Sequence, residues 1–134
     1  MSGIFTKIIS GELPSYKLYE DELVFAFLSI DPIQLGHALI IPKEEVDHFI
    51  DVPAPAYGRI FEVAKPLGQA IQRATGSKRI GAMIQGFEVS HAHLHLIPAW
   101  DPSDMSFAKA KSRKPEEMLF IQEKILTEMG KENL

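Results

Sequence analysis

Ser90-His91-Ala92-His93-Leu94-His95-Leu96-Ile97-Pro98 is the stretch on which the reading of this chain turns. It holds three of the five histidines, at strictly alternate positions. On an extended strand, residues i, i+2 and i+4 share a face. His91, His93 and His95 therefore point one way, and Ala92, Leu94 and Leu96 point the other, toward a core. A strand from Glu88 to Ile97 fits this alternation. Imidazoles are costly to bury unpaired and are not favoured strand fillers, so a purely structural role for three in a row is a poor explanation.

Reading outward, Arg79 to Ile84 forms the preceding strand, and His37 to Ile41 is a short apolar strand stopped by Pro42. Tyr16 to Glu20 and Leu23 to Ser29 make a hairpin about Asp21-Glu22. Phe5 to Ser10 reads as a short helical turn closed by Gly11. Ala54 to Ala74 is helical, with Ile60, Val63, Ala64, Leu67, Ile71 and Ala74 at helical spacing and Gly76 as its stop. Pro66 interrupts that pattern at a cost of about 3 kcal/mol, which predicts a kink or a later start. Pro115 to Met129 is a second helix, with Pro115 in the first turn and Glu116 and Glu117 at the positive end of its dipole. Ser103 to Lys114 is polar, carries four basic residues and reads as mobile. The sum is an α+β domain: a mostly antiparallel sheet with one long and one C-terminal helix.

Bulk properties narrow the function. A chain of 134 residues fits one domain with a real core. Hydrophobic residues at 46% and charged residues at 24% give an ordinary globular balance. A net charge of −4 argues against nucleic-acid polymers or anionic membranes as main partners, because both call for a basic face. With no cysteine there is neither a disulfide framework nor a thiolate metal site. The first ten residues carry no signal-peptide pattern, and no apolar run nears the roughly 20 residues of a membrane span. The expected address is the cytoplasm.

Two chemistries suit alternating histidines. His-x-His on a strand binds zinc, but at roughly 3.3 Å per residue His91 and His95 start about 13 Å apart, so one ion takes two of them at most without strain. Transfer of a phosphoryl or nucleotidyl group fits better. A neutral imidazole is a nucleophile near pH 7. Its attack on phosphorus splits one hard step into two, and flanking imidazoles hold the phosphate oxygens.

Several motifs in order carry a resemblance to the histidine triad (HIT) family. They are Ile4-Phe5-Thr6-Lys7-Ile8-Ile9 with Gly11-Glu12-Leu13-Pro14, then Tyr19-Glu20-Asp21-Glu22, Ala26-Phe27-Leu28, Gly36-His37-Ala38-Leu39-Ile40-Ile41-Pro42-Lys43, and the His-φ-His-φ-His-φ-φ run itself. The resemblance extends from about Gly3 to Trp100. It implies a single domain over 1–134, with a core at 3–100 and an extension bearing a helix at 101–134. It also implies a five-stranded antiparallel sheet and a two-fold homodimer with joined sheets, in which Trp100 reaches the interface or the neighbouring site. His93 is then the nucleophile, flanked by His91 and His95, with His37 behind them fixing tautomers. Ile4, Phe5, Ile8, Phe27 and Ile30 line a base pocket, and Gln85 stands on the phosphate side. The implied activity is cleavage of a nucleoside monophosphate, AMP or GMP, from a phosphoramidate or similar leaving group, without a cofactor. The expected partners are the nucleotide substrate and a second copy of the chain.

Departures from the family pattern qualify this. Ser29 stands where members often have a ribose-binding aspartate, with Asp31 two residues on. Glu88 replaces a hydroxyl or amide near the leaving group; protonated it is a general acid, and turned outward it is a rim residue. Gly3, Thr6 and Glu45 occupy three ligand positions of the zinc-binding members, which argues that the metal site is absent, and His48 lies off register on the surface. A dinucleoside polyphosphate hydrolase, a slow nucleotide sensor and a metal protein using His91 and His93 are the rival readings.

Overall fold

A computed structural model of the chain describes residues 3–132, so the outermost ends of the expected 1–134 domain lie outside the described residues. Helix α1 (Ile4–Ser10) is followed by strands β1 (Lys17–Glu20), β2 (Val24–Leu28) and β3 (Ala38–Pro42). Helix α2 (Ala54–Thr75), strands β4 (Arg79–Met83) and β5 (Leu94–Ala99), and helix α3 (Pro115–Met129) complete the order. All five strands form one antiparallel sheet in the order β1-β2-β3-β5-β4. No helix among the described residues is long and apolar enough to cross a membrane.

The pleat of this sheet sorts core from site. Ala38 and Ile40 of β3, with Leu94 and Leu96 of β5, pack against α2 and α3 in the main core. The alternate residues Phe25, Phe27, Leu39 and Ile41 face the other way and pack with Phe5 of α1. His95 pairs in register with Leu39 on that second face. Helix α3 is a working part of the main core: Met118, Ile121 and Ile125 are buried in it, Ile125 completely. Burying one such side chain contributes about 1.5–3 kcal/mol, which explains why the C-terminal helix docks.

Three expectations need correction. Strand β5 begins at Leu94, not Glu88. Upstream the backbone leaves the ladder: the N–H of Ala92 donates to Val46 at 2.7 Å, and Gly86 adopts φ 73°. His91 and His93 thus sit on an arm bonded to the loop after β3. Helix α2 starts at Ala54 and runs unbroken through Pro66. The carbonyl that loses its donor there belongs to Glu62, an exposed residue. Finally, the basic segment is ordered. It contains two 3₁₀ turns, Pro102–Met105 and Phe107–Lys109, capped by the side chains of Asp101 and Ser106.

Gly36 sets up the entry to β3. Its φ is 102°, and a Cβ there would meet Thr75 Cγ2 at 2.9 Å. Gly36→Ala combines left-handed strain of about 1–2 kcal/mol with that clash. The expected result is a Tm lower by about 5–10 °C in a thermal melt, with His37 displaced from its partners.

Candidate active site

The four histidines form two separate hydrogen-bonded pairs, His37 with His95 and His93 with His91, each anchored at one end to the backbone. His37 Nδ1 lies 3.1 Å from the backbone N–H of Ile33, so it accepts and the proton resides on Nε2. That Nε2–H then donates to His95 Nδ1 at 2.9 Å. His95 must therefore carry its own proton on Nε2, which is buried and has no partner among the described residues. His93 Nδ1 lies 2.7 Å from the carbonyl of His91 and donates to it. Its Nε2 is left with the lone pair. His91 Nε2 donates to the Pro42 carbonyl at 2.7 Å. Both nitrogens of His37 are spent on orientation, whereas His93 and His95 each spend only Nδ1 and keep Nε2 without a protein partner among the described residues.

Burial keeps most of these rings neutral. It pushes His37 down to about 3, with His95 and His93 adding repulsion. Burial likewise pushes His95 down to about 4, assisted by His93. His91 is lowered by burial too, against the pull of Pro42 and Glu45. The rings lie close together: His93 and His95 have centroids 4.8 Å apart, and Phe5 stands edge-on to His93 at 5.3 Å.

His93 and His95 open onto a cavity of about 430 Å³. Ile4, Phe5, Ile8, Phe27, Ser29, Ile30 and Glu88 line it, as does Asp31. Phe5 and Phe27 are also core residues, whereas Ile4 and Ile30 are 50% and 65% exposed, so the latter pair form an apolar rim and are not core. His37 and His91 stand behind, joined through their bonds to His95 and His93. Gln85 is not brought to this cavity; it lines a separate one of about 220 Å³ with Asp47, His48 and Phe87. Glu88 is exposed at the rim, and Trp100 is 47% exposed.

One wall was missed from sequence. Phe107, Ala110 and Lys111 line the cavity from the C-terminal segment, and Phe107 stands edge-on to His95 at 5.1 Å. The signal for an ordered wall was Asp101-Pro102-Ser103-Asp104, an N-cap followed by proline and a second acid.

Gly3, Thr6 and Glu45 do converge. The N–H of Gly3 and the hydroxyl of Thr6 both donate to Glu45 Oε1, at 2.8 and 2.6 Å. A carboxylate already engaged by two donors, with a hydroxyl and a glycine, does not fit a thiolate–imidazole zinc set. The trio instead ties the start of α1, and with it Phe5, to the loop after β3.

An oriented imidazole, His93, stands beside His95 with its unpartnered N–H at a largely apolar cavity on an α+β fold. The HIT domain family profile matches residues 10–101. The chain belongs to the HIT family. It is 40% identical over 113 residues to an uncharacterized HIT-like protein of Borreliella burgdorferi, covering 79% of this chain and 81% of that one. It is 41% identical over 99 residues to an adenosine 5′-monophosphoramidase of Saccharomyces cerevisiae, covering 73% of this chain and 63% of that protein. Among solved structures, a zinc-bound histidine triad family protein from Mycobacterium smegmatis superposes with a TM-score of 0.83 at 26% identity, covering 98% of this chain and 95% of that one. The expected fold is therefore the observed one.

Proposed function

We propose that this protein cleaves a nucleoside monophosphate, AMP or GMP, from a phosphoramidate or similar leaving group through a covalent His93–nucleotidyl intermediate. The observation that carries the reading is the pairing of two tautomers. His93 donates through Nδ1 and keeps its Nε2 lone pair, while His95, held by His37, presents Nε2–H beside it.

In the first step Nε2 of His93 bonds to the α-phosphorus as the bond to the leaving amine breaks, and the amine takes up a proton. Water then displaces His93, AMP departs and a proton is released. The Nε2–H of His95 donates to a phosphate oxygen and offsets charge that develops in both steps. Phe5, Phe27, Ile4, Ile8 and Ile30 give the base two buried rings and an aliphatic rim. Ser29 and Asp31 line the same cavity and are the partners this reading assigns to the ribose hydroxyls. The named activity of the yeast relative, an adenosine 5′-monophosphoramidase, supports the substrate class. Residues 3–132 act as one domain in this reading, because α3 completes the core beneath the site.

A homodimer belongs to the same proposal. Strand β4 is one of the two outer strands of the sheet, β1 being the other, so a second sheet has an edge to join there. A cytoplasmic address is in keeping with both.

The test is steady-state release of AMP from adenosine 5′-phosphoramidate, run beside a dinucleoside polyphosphate. Turnover of the phosphoramidate at a kcat/KM above about 10⁴ M⁻¹ s⁻¹ is expected. Preference for the dinucleotide would overturn the leaving-group assignment. AMP binding with no turnover of either would make the protein a sensor.

A further inference from the structure

The segment after β5 is built as a strap over the nucleotide cavity, and its knot is Asp104. This carboxylate is 5% exposed. It accepts from the backbone N–H groups of Trp100 and Asp101 at 2.9 and 3.1 Å, from Gln34 Nε2 at 2.8 Å and from Lys109 Nζ at 3.0 Å. Two further bonds stitch the strap to the loop before β3: Lys111 N–H to the Pro32 carbonyl, and Arg113 to the Ile33 carbonyl, both at 3.4 Å. The Pro32 carbonyl shares its peptide group with the Ile33 N–H that sets the tautomer of His37. Phe107 closes the gap by packing edge-on against His95. The strap lies beyond residue 101, where the family profile match ends.

The strap brings one charge that the rest of the cavity lacks. Asp31 and Glu88 contribute carboxyl groups to the lining, and His95 is neutral at pH 7. Among the described residues lining the cavity, Lys111 is the sole lysine or arginine, and it forms no ion pair with any of them. A nucleotide entering this cavity brings phosphate charge into a lining with two acids and one cation. A hydrogen bond from the neutral His95 orients the phosphate but does not neutralise it.

We propose that Lys111 is a substrate-binding residue that pairs with the 5′-phosphate of the bound nucleotide, held in place by the Asp104 knot. The inference rests on the nucleotide reading above but not on the covalent step, because it concerns binding alone. Lys111 then separates nucleotides from nucleosides at this site: the base and sugar contacts serve both, and the ammonium serves only the phosphate.

The experiment is calorimetric titration of AMP and of adenosine into wild type, Lys111→Met and Lys111→Arg. Methionine keeps the aliphatic stem against the wall and removes the charge. Lys111→Met is expected to weaken AMP about tenfold and to leave adenosine within about twofold, and Lys111→Arg to restore most of the AMP affinity. The wild-type preference for AMP should shrink as salt is raised, and that of Lys111→Met should respond less. Equal AMP affinity in wild type and Lys111→Met would overturn the proposal, as would equal losses for AMP and adenosine, which would mean that the side chain only packs. Absence of AMP binding in wild type overturns both this inference and the nucleotide reading. Failure of the covalent chemistry with the AMP preference intact would overturn that chemistry alone.

Discussion

His93→Ala releases AMP from adenosine 5′-phosphoramidate at least about 10⁴-fold more slowly than wild type, while AMP still binds within about tenfold. The split follows from where the ring sits. His93 is one wall of the cavity among many, so the rings of Phe5 and Phe27 and the Nε2–H of His95 survive its removal. No other nitrogen replaces the lost nucleophile. His95 presents a proton rather than a lone pair, because His37 fixes its tautomer. His91 has its Nε2 committed to the Pro42 carbonyl. Rate and affinity measured on the same preparation check this. Near-normal turnover would remove His93 from the chemistry, and a matching collapse of both quantities would mean that the variant has lost the cavity itself.

Acid destabilises this fold before its carboxylates protonate. Unfolded imidazoles titrate near 6.5. In the folded protein burial holds His95 at about 4 and His37 at about 3. Between these values the unfolded chain binds more protons than the native one, so stability rises with pH. The contribution is complete above about pH 6.5 and is lost as pH falls toward 4. Asp21 acts in a lower window: burial alone would raise it, but the hydrogen bond from Arg59 and the N–H groups of Leu23 and Val24 hold it at about 2. The range from pH 7 to 4.5 therefore reports the histidines. Urea unfolding across it should show a loss on the order of 5 kcal/mol, and His37→Gln should reduce that loss by roughly half. A flat profile, or one unchanged in His37→Gln, would contradict neutral buried rings.

The main elements were readable because their signals are local. Leu94 and Leu96 alternate with the histidines, the apolar stripe of α2 repeats every three to four residues, and Gly11 and Gly76 close helices in left-handed conformations. The cavity's apolar members were named from motifs whose spacing matches a family, and all five lie on it. What escaped depends on contacts distant in sequence. Strand β5 starts late because the bonds of its upstream arm go to Val46 and Pro42, which no alternation reveals. Gln85 was drawn toward the phosphate by its position in the chain, but it lines another cavity beside the left-handed Gly86. The strap read as mobile because its composition is polar and basic; its order comes from Asp104 meeting Gln34 across 70 residues. Pro66 lies inside α2 without ending it, and the carbonyl it leaves without a donor belongs to the exposed Glu62.

The most direct test of the central claim is the mass of the intact protein after rapid quenching of wild type with adenosine 5′-phosphoramidate, followed by location of any added group. The account predicts one adenylyl group, held on Nε2 of His93 and absent from His93→Ala. AMP release with no such adduct at any quench time, or an adduct on another residue, would contradict it.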